Sequence, residues 1–241
     1  MVMNNYRASP AWRDDLPRWL SASAAIAAGG DTGFSDDGDT VSAAGTLDIP
    51  PQGMTLKPAA VLILVVNRPE RPYVLFTQRT AHLTDHGGQI SFPGGRVEDN
   101  DRDPVHTALR ETFEETGVPM ERVELMGTLP DYITGTGYHI TPVVGWIESP
   151  VDYAADPKEV AECFEVPLEF LLDTRNHRLE NAMYKGRMRS FYAVPYERRY
   201  IWGATAGMLV TLTRVIAYAR GESTEPPVTM SSDPALQPKW K

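Results

Sequence analysis

Three glutamates, Glu111, Glu114 and Glu115, stand close together a short distance after a pair of glycines. On a helix, which turns about 100° per residue, Glu111 and Glu115 lie within about 40° of each other and Glu114 lies about 60° to the other side. The three carboxylates then point the same way. Their repulsion costs an isolated helix roughly 0.2–0.5 kcal/mol per pair. The spacing therefore predicts a compensating partner, and a divalent cation is a suitable one.

The segment that carries these glutamates has the start and stop signals of a helix from Pro104 to Thr116. Asp103 suits the N-cap, Pro104 suits the first helical position, and Gly117 suits the left-handed position after the helix. The opposite face is predicted to bury an apolar stripe against a sheet. That stripe consists of Val105, Ala108, Leu109 and Phe113, with Thr112 between them.

Two glycines, Gly94 and Gly95, follow Phe92 and Pro93 shortly before the predicted helix. Because glycine has no side chain, its backbone can approach a ligand closely, and a glycine-rich loop that opens a helix suits phosphate or metal. We therefore expect Gly94 and Gly95 to contact the substrate and Gly95 to contribute to the metal site. A solvated acidic face is the alternative explanation of the glutamates, and the glycine pair argues against it.

From Gly95 onward the chain resembles the signature of the Nudix hydrolases. In that signature a glycine and a spaced acid precede Arg-Glu, an apolar residue, any residue, Glu-Glu, any residue, glycine and an apolar residue. Thr112 departs from it by replacing the apolar residue, and the loop is one residue longer, so Glu98 and Asp101 are both candidates for the loop acid. The matching positions are Arg110, Glu111, Glu114, Glu115, Gly117 and Val118.

The resemblance implies an α/β fold, namely a Nudix-type α/β/α sandwich with a mixed β-sheet. It also implies a metal-dependent diphosphatase, a hydrolase that cleaves a phosphoanhydride bond. The expected cofactor is Mg²⁺ or Mn²⁺, held by Glu111, Glu114 and Glu115 together with Gly95, because magnesium prefers oxygen ligands. Arg110 is expected to act in catalysis by orienting the glutamates through an ion pair rather than by touching the substrate.

The general base is open between two residues. Glu114 could deprotonate water while it binds metal, whereas Glu162, on a helix predicted over residues 157–164, could approach from across the cleft. Glu159 shares roughly the face of Glu162, and both also fit solvated helix acids. His82, His86 and His139 flank the expected pocket, but a lone histidine is more often a structural hydrogen-bond partner, so we assign none of them a catalytic role.

A second resemblance is to the extra motif of the coenzyme A diphosphatase branch of the Nudix enzymes. It is carried by residues 75–80, Gly88 and residues 91–95. Thr84 departs from this motif, which usually has a basic residue there. Arg79 is predicted to clamp a substrate phosphate with its planar fork. The branch implies coenzyme A or its thioesters as substrates, with 3',5'-ADP and 4'-phosphopantetheine as products. The alternatives are a pyrophosphatase for ADP-ribose, dinucleotides or oxidised nucleotides, and a non-catalytic module that senses nucleotides.

Composition limits the remaining possibilities. The chain has 241 residues, of which 42% are hydrophobic, enough for one sizeable catalytic domain with tails. A formal net charge of -9 argues against nucleic acid as a partner, so a small-molecule nucleotide is expected. No segment suggests a membrane span or targeting signal, and the single cysteine, Cys163, is interpreted as a buried structural thiol. These features favour a cytoplasmic protein, and a homodimer is suggested only by the family resemblance.

The predicted organisation has three parts: an N-terminal helix and flexible linker over residues 1–53, a Nudix domain over residues 54–220, and a disordered tail over residues 221–241. Apolar patterning predicts a first helix over residues 10–27 and a linker over residues 29–53. Strands are predicted over residues 59–66, 73–78, 123–129, 141–148 and 187–196, the first two forming a hairpin. A loop over residues 131–137 is expected to border the substrate. Residues 167–173 are predicted to form a short helix or turn, and residues 202–220 a long helix.

Overall fold

The apolar segment KPAAVLILVVN forms the central strand, β1 (Lys57–Asn67), which is buried almost continuously from Ala59 to Val66. Such a run of aliphatic side chains is typical of a strand that is covered on both faces. The computed structural model describes residues 10–23, 55–81, 87–184, 187–222 and 229–231. The predicted linker, most of the predicted tail, and His82, Thr84 and His86 lie outside these residues.

The described residues form four α-helices and twelve strands. The helices are α1 (Pro10–Leu20), α2 (Pro104–Thr116), α3 (Leu168–Leu172) and α4 (Ala204–Ala219). After β1, the strands are β2 (Pro72–Arg79), β3 (Ile90–Ser91), β4 (Gly94–Arg96), β5 (Glu124–Thr128), β6 (Tyr132–Ile133), β7 (Tyr138–Glu148), β8 (Val160–Pro167), β9 (Arg178–Tyr184), β10 (Arg187–Tyr196), β11 (Arg199–Trp202) and β12 (Thr229–Ser231).

Eight of the strands make one mixed sheet, in the order β3-β2-β1-β7-β5, with β4 added to β1, β6 to β7 and β8 to β2. β1 runs parallel to β7 along its whole length and antiparallel to β2, which confirms the predicted hairpin. β4 pairs antiparallel with the first half of β1, so that Gly95 lies opposite Ala60 and Arg96 opposite Ala59. The other four strands form a second sheet in the order β11-β10-β9-β12.

Successive residues of β1 point to opposite faces of the main sheet, as the pleat requires. Leu62 and Leu64 pack on one face in a cluster with Ala108 of α2. Ile63 and Val65 pack on the other face in a larger cluster that includes residues of α1 and α4. Helices therefore cover both faces of a mixed sheet, and the implied α/β/α sandwich is confirmed. We call the two faces of the main sheet the α2 face and the α4 face.

Helix α1 belongs to the main hydrophobic core. Its four large apolar side chains, Trp12, Leu16, Trp19 and Leu20, are all buried, and the two tryptophan rings meet edge to face with centroids 5.4 Å apart. Gly127 of β5 lies under the helix, where an added Cβ would stand 3.1 Å from that of Leu20. The helix that apolar patterning predicts here therefore exists and packs on the catalytic core. Within the described residues, no helix is long and apolar enough to cross a membrane.

The predicted helix over residues 157–164 is wrong, because most of this segment belongs to strand β8. Along β8, Phe164 and Val166 contribute to the core on the α4 face, while Cys163 packs against the core on the α2 face. This alternation has the period of a strand, and β8 pairs with β2 from Tyr73 onward. Cys163 is half-buried, and burial raises the pKa of its thiol to about 11, which agrees with a structural role.

Helix α2 has its predicted ends, but its buried face differs from the predicted apolar stripe. Phe113 is 50% exposed, whereas Thr112 is 1% exposed. Thr112 can be buried because its hydroxyl donates to the carbonyl of Ala108 at 2.6 Å, and Thr116 donates to the carbonyl of Thr112 in the same way. The threonine that replaces the apolar residue of the signature is therefore a core residue with a satisfied hydroxyl.

His177 is a buried histidine that makes stability depend on pH. Its ring is 1% exposed, and Nε2 lies 2.7 Å from the carbonyl oxygen of Leu171. Burial lowers the pKa of His177 from its usual value of 6.5, and Asp173 and Arg214 act on its charge in opposite directions. The native state therefore binds the proton less tightly than the unfolded chain. The stability contributed by neutral His177 is present above pH 6.5 and is lost as the pH falls.

We predict that His177→Gln reduces the loss of stability in mild acid. Glutamine can still donate a hydrogen bond to Leu171 but cannot be protonated, so it escapes a cost of up to about 1.4 kcal/mol per pH unit. The measurement is the free energy of unfolding in urea at pH 7.5 and pH 5.5. Equal losses in the wild type and the variant would assign the acid sensitivity to other groups.

Candidate active site

The ends of helix α2 set the direction in which the glutamates point. Asp103 has an extended backbone, and its carboxylate accepts the amide of His106 at 2.7 Å. Gly117 adopts the left-handed conformation, with φ of 73°, and its amide donates to the carbonyl of Phe113 at 2.8 Å. Both capping predictions are confirmed. The helix therefore begins and ends where the sequence predicts, so the angles between its glutamates follow.

Arg110 is the hub of the site. Its Nε and Nη2 each donate to a different oxygen of Asp101 at 2.9 Å. Its Nη1 donates to Glu111 at 3.0 Å and to Glu114 at 3.1 Å, and its Nη2 also donates to the carbonyl of Arg96 at 3.2 Å. One guanidinium thus holds two glutamates of the helix in relation to the loop before it. This arrangement supports the orienting role expected for Arg110.

Asp101 is the loop acid whose side chain binds Arg110. Its side chain is 0% exposed and, besides Arg110, accepts the hydroxyl of Thr107 and the amide of Glu98, each at 2.9 Å. The ring Nδ1 of His106 lies 2.9 Å from the same carboxylate. The hydrogen bonds from Arg110 hold the pKa of Asp101 far below its usual range. The other candidate, Glu98, is exposed, and it contacts Asp101 through its backbone amide and its carbonyl.

Glu111 lies directly over Gly95. A Cβ added to Gly95 would stand 2.6 Å from Oε2 of Glu111, a distance that no real side chain tolerates. Gly95 therefore provides the space in which this carboxylate sits. Burial raises the pKa of Glu111, and the charge of Arg110 opposes that effect.

The backbone of the glycine pair is divided between the sheet and the site. The amide of Leu62 donates to Pro93, and the amide of Val97 donates to Pro58. Because antiparallel hydrogen bonds recur every two residues, the backbone groups of Gly95, midway between these bonds, pair with β1. The amide of Gly94 instead hydrogen-bonds Glu115. The backbone that faces the carboxylates is therefore that of Gly94 rather than that of Gly95, which we expected at the metal site.

Glu115 is the most deeply buried of the three glutamates. Its side chain is 5% exposed, and Oε2 has no hydrogen-bond partner among the residues that the structure describes. Burial raises the pKa of Glu115 to about 8, against the opposing charge of Arg79, whose Nη1 is 3.6 Å from Oε1. A buried carboxylate with an unpaired oxygen is a costly feature that calls for a further partner.

Arg79 joins the upstream motif to the helix. It lies at the end of β2, where Nη1 contacts Glu115 and Nη2 stands 3.9 Å from the carboxylate of Glu159. Arg79, expected to clamp a phosphate, thus lies at the glutamate cluster, which consists of Glu111, Glu114 and Glu115. Here its charge is shared between two acids, and neither contact is as short as a hydrogen bond.

The structure separates the two later acids that sequence reasoning placed on one helix. Glu162 shares the α4 face with Phe164 and Val166, and its Oε1 accepts Nη2 of Arg199 at 2.5 Å. The guanidinium of Arg199 lies over the ring of Phe164, 3.8 Å from its centroid. Glu162 is therefore on the opposite face of the sheet from α2, and it is not brought to the glutamate cluster.

Glu159 is held beside the cluster by contacts that the sequence analysis missed. The loop before it is tied to the end of α2, because Ala154 donates to the carbonyl of Thr116 at 2.8 Å and Asp156 donates to that of Glu115 at 3.1 Å. On the other side, the amide of Thr80 donates to the carbonyl of Glu159 at 2.9 Å. These are backbone contacts between distant segments, so no residue type could have indicated them.

Of the remaining predicted positions, Glu114 and His139 are open to solvent, whereas Tyr132 is buried. Glu114 is 54% exposed and accepts a hydrogen bond from Arg110. His139 lies 2.9 Å from Asp131, which also accepts the hydroxyl of Thr141, so this histidine has a structural partner. Tyr132, in the loop expected to border the substrate, packs its ring against Gly207 of α4.

The donor set fits a hard divalent cation. Carboxylate oxygens are the ligands that Mg²⁺ and Mn²⁺ prefer, and Glu115, whose buried Oε2 has no partner among the described residues, lies close enough to Glu111 for the two charges to interact. In the described part of the chain, no three acidic, histidine or cysteine side chains are close enough to enclose an ion as they stand. Arg110 and Arg79 provide the positive charge between these carboxylates.

Comparison with known proteins identifies the family of this chain. A model of the NUDIX domain matches residues 56–185. The uncharacterized Nudix hydrolase NudL of Escherichia coli (strain K12) is 42% identical over 151 residues, which cover 63% of this chain and 78% of that protein. NudL of the strain IAI39 is equally similar.

Two solved structures are similar to about half of the chain. A binary complex of the C. elegans Ap4A hydrolase has a TM-score of 0.40 and 23% identity, and covers 47% of this chain and 82% of its own. RenU of M. smegmatis has a TM-score of 0.41 and 23% identity, and covers 49% and 81%. The domain match over more than half of the chain, with the identity to NudL, shows that the chain belongs to the Nudix hydrolase family.

Proposed function

We propose that this Nudix hydrolase cleaves the phosphoanhydride bond of coenzyme A or its thioesters, with Mg²⁺ or Mn²⁺, and releases 3',5'-ADP and 4'-phosphopantetheine. The observation that best supports this proposal is the contact between the upstream motif and the glutamate helix. Arg79 comes from the segment that resembles the coenzyme A branch, and its guanidinium stands 3.6 Å from Glu115 of the glutamate helix. This contact between the two segments supports the proposed substrate class and the proposed site together.

The ion would be held by Glu111, Glu114 and Glu115, with the backbone of Gly94 beside them. The chemistry that such an ion supplies when bound is charge neutralisation at the diphosphate oxygens and polarisation of a water molecule. The protein's own residues set the positions of these carboxylates. Arg110 fixes Glu111 and Glu114, and the missing side chain of Gly95 leaves the space that Glu111 needs.

Arg79 is placed to bind a substrate phosphate. Its two Nη atoms face Glu115 and Glu159 over 3.6 and 3.9 Å, distances too long for strong hydrogen bonds. A diphosphate offers this planar fork shorter and charge-assisted bonds. With the phosphate held in this way, a water molecule attacks phosphorus in line with the departing group, and no covalent intermediate is needed.

Two exposed carboxylates on the α2 face can accept the proton of the attacking water. They are Glu114, 54% exposed, and Glu159, 53% exposed. Glu114 already accepts a hydrogen bond from Arg110, whereas the cation contact of Glu159 is the longer one with Arg79. Glu159 is therefore the better placed base, and Glu162, which faces the other side of the sheet, has no geometric support in this role.

The substrate prediction is tested by incubating the purified protein with Mg²⁺ or Mn²⁺ and, separately, coenzyme A, ADP-ribose, NADH and a set of nucleoside triphosphates. We expect 3',5'-ADP and 4'-phosphopantetheine from coenzyme A, detected by mass, and turnover lower by at least about a hundredfold in Glu115→Gln. Cleavage of another compound but not of coenzyme A would support the metal-dependent mechanism and assign a different substrate. Lack of turnover with every compound would favour a nucleotide-sensing module.

The base is tested by comparing Glu159→Gln with Glu162→Gln. We expect Glu159→Gln to lower kcat by about 10²–10⁴ while the affinity for Mn²⁺ changes little. Glu162→Gln is the matched control: kcat should stay near wild type, while stability falls by about 1–3 kcal/mol because the half-buried Arg199 loses its charged partner. A large loss of kcat in Glu162→Gln at wild-type Mn²⁺ affinity would restore the original assignment.

The space over Gly95 is tested with Gly95→Ala. The new methyl group would meet the carboxylate of Glu111, so we expect kcat to fall at least about tenfold and Mn²⁺ to bind more weakly, as measured by kinetics and metal titration. Gly203→Ala, at a residue with φ of 65° and no atom within 4 Å of an added Cβ, is the control: alanine is strained at this φ, so stability should fall while kcat and Mn²⁺ binding stay near wild type. Wild-type kinetics in Gly95→Ala would show that Glu111 can move without loss of function.

A further inference from the structure

Two cations flank one tyrosine ring at the start of β1. Nζ of Lys57 lies 5.8 Å from the centroid of Tyr138, and Cζ of Arg96 lies 5.4 Å from it. Arg96 also donates two hydrogen bonds to the Tyr138 hydroxyl, from Nη2 at 2.6 Å and from Nε at 3.2 Å. We call these three residues the Tyr138 cluster.

The two cations of the Tyr138 cluster are available to an anion. Both side chains belong to exposed residues, and the structure gives neither an ion-pair partner among the residues that it describes. This is notable in a chain with 32 acidic and 23 basic residues, where most cations near the site, such as Arg79 and Arg110, face carboxylates. Because both cations lie against the same ring, their like charges add at this place, and a bound anion offsets them.

The Tyr138 cluster is joined to the catalytic loop by the chain itself. Arg96 follows Gly95, so their Cα atoms are about 3.8 Å apart. The carbonyl of Arg96 accepts Nη2 of Arg110 at 3.2 Å, whereas its side chain reaches Tyr138. Since consecutive strand residues point to opposite faces, Gly95 faces Glu111 on the α2 face and Arg96 faces the α4 face.

A ligand can pass between the glutamates and the Tyr138 cluster along the edge of β4. In the described part of the sheet, β4 pairs only with β1, so its other edge is not covered by a strand. The amide of Lys57 donates to the carbonyl of Gly137 at 2.8 Å, which holds the start of β1 next to Tyr138. A substrate whose diphosphate lies at the glutamates can extend past this edge and place a neighbouring group at the Tyr138 cluster.

We propose that Lys57 and Arg96 bind a phosphomonoester on the nucleoside end of the substrate, a group separate from the diphosphate that is cleaved. This rests on the proposed function, under which that group is the 3'-phosphate of coenzyme A. The planar fork of Arg96 suits a phosphate dianion, and Lys57 adds a second charge. Tyr138 is a positioning residue, since its hydroxyl fixes the guanidinium through two hydrogen bonds.

The kinetic test compares coenzyme A with 3'-dephospho-coenzyme A, which differ only in this phosphate. We expect the wild type to prefer coenzyme A in kcat/KM, and Arg96→Gln to lower kcat/KM for coenzyme A about tenfold or more while the dephospho compound changes less than about threefold. Tyr138→Phe should reduce the preference in part. Arg71→Gln, whose arginine pairs with Glu169 at the far end of the hairpin, is the matched control and should leave both values unchanged.

An equilibrium measurement separates this inference from the proposed activity. Calorimetric titration of the wild type with 3',5'-ADP and with 5'-AMP should show tighter binding of 3',5'-ADP, and Arg96→Gln should remove the difference. This outcome supports the site even if coenzyme A is not cleaved. Equal binding of the two nucleotides by the wild type, or equal losses of kcat/KM for both substrates in Arg96→Gln, would overturn it.

Discussion

The buried ion pair between Asp101 and Arg110 is the contact on which the catalytic arrangement depends. It links the loop after the glycine pair to the middle of helix α2 through two parallel hydrogen bonds of 2.9 Å. The same guanidinium holds Glu111 and Glu114. The positions of these two carboxylates therefore depend on Asp101, whose fully buried side chain fixes Arg110. Removing one partner of such a pair leaves a buried charge without compensation, which is far more costly than losing an exposed ion pair. The pair therefore explains how a row of like charges can be kept in order at the edge of a cleft.

The site concentrates unfavourable electrostatics in a region that the rest of the fold must support. Glu115 is buried with one unpaired oxygen and a pKa raised to about 8, and burial also raises the pKa of Glu111. Groups that are costly in the free protein and suited to a charged ligand are a common property of functional sites. The face of α2 below them is packed through threonines whose hydroxyls bond within the helix, so the helix is anchored without further unpaired polar groups.

The supporting core extends beyond the segment that matches the family. Residues 56–185 contain the sheet and the glutamate helix, but α1 and α4 lie outside them and still contribute to the main hydrophobic cluster. Helix α1 packs Leu20 over Gly127 of β5 and buries two tryptophans, and α4 buries Leu209, Leu212, Val215 and Ile216. The α4 face of the sheet thus depends on both ends of the chain, although the chemistry lies on the α2 face.

The sequence by itself determined the features that depend on neighbours along the chain. Asp103 and Gly117 define the ends of α2, and the spacing of Glu111, Glu114 and Glu115 then sets their directions, because both follow from the geometry of one helix. Alternation and length likewise predicted β1, β2 and β10. Tertiary structure alone decided which acid faces the cluster, since Glu159 and Glu162 are three residues apart and a strand sends Glu162 to the opposite face. It also decided between Asp101 and Glu98, and it brought Lys57, Arg96 and Tyr138 together from three strands. Such contacts depend on register and pairing between distant segments, and no local pattern encodes them.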